Sequence, residues 1–518
     1  MTRYANFGHA VLTAQSDRAP EATALTFAGR DSFTYGELNH RVNRRAHALA
    51  AAGLRAGNRV ATLLDSPLSV TEIYLAQAKL GTVLAALNPF WAPETFAPVL
   101  RRSRTTAFVY DGRFDALVAA LRPDLPEIRT WIRVGGPAAD AVDLDALTEE
   151  ASDGEPELGA GGDDPLALFF TSGTTGLPKA VVHTHHSGLA IAEKLWLDVP
   201  LGRDAVVGTG PIIWGIGFLA VAAPALAGAA RLALEEGFGP EHFLAAVPRE
   251  RITHLSVTPS FFVQLFTTDG QERADLSSVR VAMLGGEPLL PSLQQRILER
   301  IPGLALYGYF GQTEAPYSVI GRRDEVPDGV VGWARAGGAV RVVDGFGMRL
   351  TNEVGEIQLA GPHVTAGYDG QPEATGAALR DGWFTGGDVG RIDEEGRLTV
   401  LGRRVDAIAR SGTLTLPVQI EDVASTVDGV AEAAAVGVSQ GTGEPKILVV
   451  VRAGAGVTLD PETVRKEIAG KLPPPAHPDL VVVADELPHA NDGSGGQGKL
   501  LRREVRERWG HLLEGAGA

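Results

Sequence analysis

Short apolar runs alternate with longer stretches of helical periodicity between residues 20 and 110, and this alternation constrains the fold more than any other feature. Ala24-Leu25-Thr26-Phe27 reads as a strand. Thr34, followed three residues on by Glu37, is a capping-box pair. It opens a helix with Leu38, Val42, Ala46 and Leu49 at helical spacing. Arg59 to Leu64 is a second strand and Val70 to Leu80 a second helix. The pattern continues to about residue 330 and predicts an α/β fold of largely parallel sheets. From about 330 to 402 it changes to short strands broken by Gly, such as Gly355 to Leu359, as in a small, mostly antiparallel β unit. Residues 404–518 return to strands (Ala434 to Val438, Ile447 to Val451, Leu480 to Val483) and a helix (Val464 to Leu472). No Gly/Ser or Pro linker marks the join at Arg403-Arg404. The expectation is a large N-terminal domain, 1–403, with parallel α/β layers and the small β unit, and a smaller, mobile C-terminal α+β domain, 404–518, meeting across a cleft.

Composition narrows the partners. The 518 residues carry 47 Lys and Arg against 63 Asp and Glu, a net charge of −16. That balance disfavours nucleic acid and anionic membranes, so an anionic ligand needs a local pocket of donors. With 0 Cys, disulfides, thiolate metal sites and cysteine nucleophiles are excluded. The N-terminus has no apolar signal region. Ala205 to Ala230 is uncharged and long enough for a membrane span. It is rich in Ala and Gly and holds Pro211 and Pro224, so a buried core helix with a pocket-lining loop is the better reading. The expected compartment is the cytoplasm.

The chemistry concentrates in Leu168-Phe169-Phe170-Thr171-Ser172-Gly173-Thr174-Thr175-Gly176-Leu177-Pro178-Lys179. A buried strand runs into Gly and hydroxyl residues and ends on Lys179. Gly lets backbone N–H groups turn toward an anion, Ser and Thr add donors and Lys adds charge, which is how a loop holds phosphate. It is not a Walker sequence, because Leu177-Pro178 separates Gly176 from Lys179 and Ala180 stands where Ser or Thr would.

This run resembles the phosphate loop of the adenylate-forming superfamily: acyl-CoA synthetases, adenylation domains and firefly-type luciferases. Further motifs follow in order over nearly the whole chain. Phe310-Gly311-Gln312-Thr313-Glu314, preceded by Tyr309, is similar to the motif whose aromatic ring packs on adenine, whose Thr touches the α-phosphate and whose Glu holds Mg²⁺. Gly285-Gly286-Glu287-Pro288 is similar to the adenine-flanking loop. Asp388, in Trp383-Phe384-Thr385-Gly386-Gly387-Asp388, matches the residue that grips the ribose. Arg403 matches a second nucleotide-contacting residue, and Lys499 the C-terminal lysine that bridges acyl carboxylate and α-phosphate. The resemblance implies ATP, Mg²⁺ and coenzyme A, and a carboxylic acid or its acyl-adenylate as partner; a homodimer stays open. Attack of the carboxylate on the α-phosphate of ATP gives an acyl-adenylate and pyrophosphate, and a thiol then displaces AMP.

Several positions depart from the pattern. The segment from Pro488 to Lys499 is long and holds Asn491-Asp492-Gly493-Ser494-Gly495-Gly496. Ordering such residues costs on the order of 1 kcal/mol each. Val405 stands at the hinge position in place of a polar residue, and Ala409 where Lys is common. Gly412 matches the glycine that passes the pantetheine arm, beside Ser411. Gly386 replaces a Thr. Trp214 takes the place of a common His and, with Gly215, Gly217 and Gly285, suggests an apolar acyl pocket. The leading reading is an ATP-dependent carboxylic acid–CoA ligase acting on a hydrophobic acid. The alternatives are an enzyme specialised for thioester formation from a preformed adenylate, a stand-alone enzyme loading a carrier protein, and a nucleotide-binding pseudoenzyme.

Overall fold

The computed structural model describes residues 6–171, 177–209, 215–237, 239–266, 268, 270–439, 443–454, 456–489 and 500–515. Among these, an eight-stranded and a nine-stranded sheet make the large N-terminal region. Five neighbouring pairs in the nine-stranded sheet are parallel, joining Thr23–Phe27, Arg231–Leu234, Val206–Thr209, His254–Val257, Val281–Leu284 and Ala305–Gln312 in that spatial order. Helices cover such a sheet because its strands are buried on both faces.

Local chemistry sets several boundaries. Thr34 Oγ1 accepts from the Glu37 N–H and the Glu37 carboxylate accepts from the Thr34 N–H, so the expected capping box is present and the helix runs Tyr35–Ala51. Thr184 and Ser187 make the same reciprocal pair at the start of the helix His185–Asp198.

Two expectations need correction. The segment read as a core helix with a loop begins with a parallel strand, Val206–Thr209, and among its described residues Phe218–Ala222 and Ala223–Ala227 are helical, both buried. Pro224 is tolerated in the first turn of the second, where its missing N–H has no intrahelical partner to lose. No helix among the described residues is long and apolar enough to cross a membrane. Second, the alternation does not stay parallel to residue 330. Ala305–Gln312 turns at Thr313-Glu314 and returns as Ala315–Arg322 in an antiparallel hairpin.

The Gly-broken stretch is a six-stranded sheet whose pairings are antiparallel. Its strand Leu398–Arg403 ends at the short turn Arg404–Asp406. The smaller C-terminal domain follows: a hairpin, Ile408–Arg410 with Thr413–Thr415, and a three-stranded sheet. In the central strand Lys446–Ala453, Ile447, Val449 and Val451 face the helices Pro417–Ser425 and Pro461–Lys471, while Leu448 and Val450 face Val505 of the helix Arg502–Trp509. The alternation of a strand thus supplies two cores.

Candidate functional site

Strand Lys179–Thr184 pairs with Pro165–Thr171 on one side and with Gly367–Tyr368 on the other. Its period of two puts Lys179 and His183 on one face. The Lys179 ammonium lies 4.8 Å from the centroid of the Tyr368 ring, a cation–π contact. The Tyr368 hydroxyl donates to Glu314 Oε1 at 2.8 Å. Glu314 is only 7% exposed. Burial and the Glu314 charge both raise the Tyr368 pKa, so the phenol keeps its proton and remains the donor.

The turn that carries Thr313 and Glu314 is held through its backbone. His183 Nε2 lies 2.8 Å from the Thr313 carbonyl and Nδ1 3.1 Å from Ser187 Oγ. A carbonyl only accepts, so Nε2 bears the hydrogen and Nδ1 accepts from the serine. Burial lowers the His183 pKa to about 4, against the smaller opposing effect of the Thr313 carbonyl, and keeps the ring neutral. The Glu314 carbonyl accepts from the Thr365 N–H at 2.7 Å.

A second cluster lies where strands Trp383–Ile392 and Leu398–Arg403 pair, with Asp388 directly opposite Arg403. Arg403 Nε contacts Asp388 Oδ1 at 2.9 Å and Nη1 donates to the Gly386 carbonyl at 2.8 Å. The Gln312 amide donates to Asp388 Oδ2. A Cβ on Gly386 would meet the Gln312 amide, the far end of a flexible side chain.

In the loop after Val281–Leu284, Gly286 has φ +81° and Glu287 accepts from the N–H and hydroxyl of Ser260 at 3.1 and 3.2 Å. Pro288 is exposed. Phe310 joins an apolar cluster with Val319 and Ile357, whereas Tyr309 faces the other way. The Tyr309 ring lies directly on Gly285, so the space that glycine leaves is filled by tyrosine. Gly311 is packed too tightly against the hairpin for a Cβ. Gly215 has open space where a side chain would be, and Gly217 caps the turn at Phe218.

In the C-terminal domain Ser411 (φ +51°) and Gly412 (φ +72°) form the tip of the short hairpin, with the Ser411 N–H donating to Glu444 at 2.8 Å. Val405 is 74% exposed. His489 and Leu500 form a β-bridge and the Leu501 N–H donates to the Pro488 carbonyl at 2.9 Å. Next to it Arg502 pairs with Glu421 at 2.6 Å, and the charge of Glu287 acts on both Arg502 and His489. Residues on both sides of the 490–499 stretch thus lie within reach of the charge in the Gly285–Pro288 loop. Ser172, Gly173, Thr174, Thr175, Gly176, Trp214 and Lys499 lie outside the described residues; Thr171 and Lys179, at the two ends of the phosphate loop, are register partners.

Among the described residues no group of three or more His, Asp or Glu forms a metal cage. Glu314, with one oxygen accepting from Tyr368, fits Mg²⁺ as a lone carboxylate, since this ion is commonly held by one or two carboxylates together with substrate phosphates. Sequence reading missed His183, Thr365 and Tyr368. Their signal was weak, because each reaches the Thr313-Glu314 turn from a distant part of the chain.

The AMP-binding enzyme profile matches residues 12–369, and the AMP-binding enzyme C-terminal domain profile matches 419–494. The chain therefore belongs to the AMP-binding enzyme family. It is 33% identical to a feruloyl-CoA synthase of Amycolatopsis sp, covering 95% of this chain and 97% of that relative. It is 30% identical to a medium-chain fatty-acid–CoA ligase of Escherichia coli (strain K12), covering 95% and 90%. Among solved structures it resembles ATP-bound MatB from Rhodopseudomonas palustris, with TM-score 0.89, 27% identity and coverage of 98% and 99%.

Proposed function

We propose that this chain is an ATP-dependent carboxylic acid–CoA ligase working through an acyl-adenylate. The observation that carries the reading is the grouping around Tyr368: the buried Glu314 carboxylate at a hairpin turn, the phenol on Gly367–Tyr368, and the Lys179 ammonium at the start of the strand that pairs with it. Lys179 supplies charge to ATP phosphate, and Glu314 is the residue to hold Mg²⁺, which when bound neutralises phosphate oxygens. Asp388 and Arg403 address the ribose, and Phe310 with Gly286, Glu287 and Pro288 flanks the adenine. Positioning and charge stabilisation at phosphorus supply the acceleration, as in other phosphoryl chemistry. The acid's carboxylate attacks the α-phosphorus and pyrophosphate leaves. Lys499 bridges carboxylate and α-phosphate in that step, and Thr313 contacts the phosphate. The thiol of coenzyme A then passes Ser411 and Gly412, attacks the acyl carbon and releases AMP. Residues 404–518 move as a unit about Val405 between the two steps, in a cytoplasmic enzyme.

The acid–CoA ligases among its relatives favour a full-cycle ligase over an enzyme limited to thioester formation. The test offers a panel of acids and their synthetic adenylates with coenzyme A and follows each half-reaction by mass spectrometry. Thioester from free acid plus ATP at a rate comparable to the adenylate route is expected, with Lys499→Ala slowing only the first route. Thioester from the adenylates alone would replace this reading by the specialised one.

A further inference from the structure

Glu314 is aimed by the Tyr368 hydroxyl, and Tyr368 belongs to a strand that its own ladder holds weakly. Gly367–Tyr368 is two residues long and lies at the edge of its sheet, paired on one side only. An edge strand leaves half of its backbone groups unpaired. Gly367, at φ +125°, adds no side chain to fix the strand.

The next residue supplies an anchor. Asp369 extends the ladder by one bond, its N–H donating to the Ala180 carbonyl at 2.8 Å. Its carboxylate, 7% exposed, takes both arms of the Arg59 guanidinium: Nη1 donates to Oδ2 and Nη2 to Oδ1, each at 2.7 Å. Arg104 Nη2 donates to Oδ1 at 3.1 Å. Arg59 opens the strand Arg59–Leu63, and its Nη1 also reaches the Ser103 carbonyl at 3.0 Å. From the same corner, Arg102 Nη1 donates to the Pro178 carbonyl at 3.4 Å. The corner therefore touches the chain beside Lys179 and beside Tyr368, the two partners of the cation–π contact.

This cluster differs from an exposed ion pair, which contributes little. A guanidinium meeting a carboxylate at two points fixes direction as well as distance. The acceptor is nearly buried, so the pair is screened little by water. Arg104 holds φ +53°, a left-handed conformation that is uncommon outside glycine and persists where the surroundings enforce it.

We infer that Arg59 and Asp369, supported by Arg104, are positioning residues for the metal end of the site: they fix the short strand from which Tyr368 aims the Glu314 carboxylate. This rests on the ligase reading for the identity of the ligand, ATP with Mg²⁺, and gives a role to residues outside every motif. Neither residue touches the nucleotide; both act through Tyr368. A displacement of ~1 Å can cost ~10²-fold at a reacting centre, so a small shift of this strand is enough to be measured.

The experiment titrates the full chain with ATP by calorimetry, once in Mg²⁺ and once in EDTA, and reads the factor by which the metal improves affinity. Asp369→Asn keeps the shape and loses the charge, and it should lower that factor about fivefold, since charge-assisted bonds are roughly twice as strong as neutral ones. Affinity in EDTA should stay within about twofold of wild type, because the clamp acts on the metal's carboxylate alone. Arg59→Lys keeps the charge without the fork and should lose less. Arg59→Met combined with Asp369→Asn removes both charges, which guards against a fold lost to one unpaired ion. Its loss should equal that of Asp369→Asn alone if the two act as a unit. In a Tyr368→Phe background, Asp369→Asn should change the factor by less than about twofold, because the group it acts through is already gone.

Equal weakening with and without the metal, in step with a lowered thermal midpoint, marks a purely structural pair and overturns the inference. So does an undiminished effect of Asp369→Asn in the Tyr368→Phe background, or a wild type whose ATP affinity Mg²⁺ does not improve. The ligase reading fails separately. Absence of thioester from every acid and adenylate of the panel removes it, while a metal factor that the variants lower as expected leaves the clamp standing.

Discussion

Replacing Tyr368 by Phe removes one oxygen and keeps the ring under Lys179. The lost hydrogen bond, 2.8 Å to a carboxylate only 7% exposed, is charge-assisted. Such bonds contribute about 1.5–3 kcal/mol, and if that free energy serves only to aim Glu314 the adenylation rate falls roughly 10- to 150-fold. Tyr368→Leu removes the cation–π contact as well, a further loss of about 0.5–2 kcal/mol. The assay is pyrophosphate release at varied Mg²⁺, with the thiol step measured separately from a supplied adenylate. Tyr368→Phe should weaken the apparent dependence on Mg²⁺ and slow the first step, while the second moves little. Equal slowing of both steps, or an unchanged first step, would refute the idea that the phenol acts through Glu314.

Glu314→Gln keeps shape and loses charge, so ATP-driven activation should fall by ~10² or more with the fold intact; wild-type activation in this variant rejects Glu314 as the Mg²⁺ residue. Lys79 is fully buried, bonded to Asn39, Asn43 and Glu155 at 2.6, 2.6 and 3.1 Å. Lys79→Ala should cost about 3 kcal/mol in denaturant unfolding, because it leaves these acceptors unpaired, and Lys79→Met combined with Glu155→Gln should recover part of it. His183 and His185 each have a pKa lowered from 6.5 to about 4 by burial. Their folded state prefers the neutral ring, so this contribution is complete above pH 6.5 and is lost as pH falls through 4, at roughly 3 kcal/mol per histidine. A melting temperature that stays flat from pH 6.5 to 4.5 would contradict this.

The α/β plan was legible because period and capping agree: Thr34 and Glu37 set the helix start that the structure has. The strand Val206–Thr209 was not legible. A four-residue strand paired on both sides in a parallel sheet is too short to show alternation, and the long uncharged run beyond it carries the stronger helical signal. At the site, contiguous motifs could be read directly, but the groups that hold them could not. His183 and Thr313 are 130 residues apart, Tyr368 and Glu314 are 54 apart, and only folding brings them within 2.8 Å. Arg335 sits among small and apolar residues, and nothing in its sequence neighbourhood shows that the guanidinium is buried. Gly386 was read as a departure at a single position, and nothing in its sequence neighbourhood shows that the Gln312 amide lies against it.

The engagement of Asp388 by both Gln312 and Arg403 bears on turnover. On the proposed assignment, a ribose arriving at this carboxylate exchanges one set of hydrogen bonds for another, so the net gain is smaller than the new bonds alone suggest. The same exchange runs in reverse when AMP departs: Gln312 is at hand to take back its acceptor, and the carboxylate is never left bare. Under the proposed function, a group that binds by substitution gains less from its nucleotide than a bare carboxylate would, which suits an enzyme that must clear AMP before each new cycle.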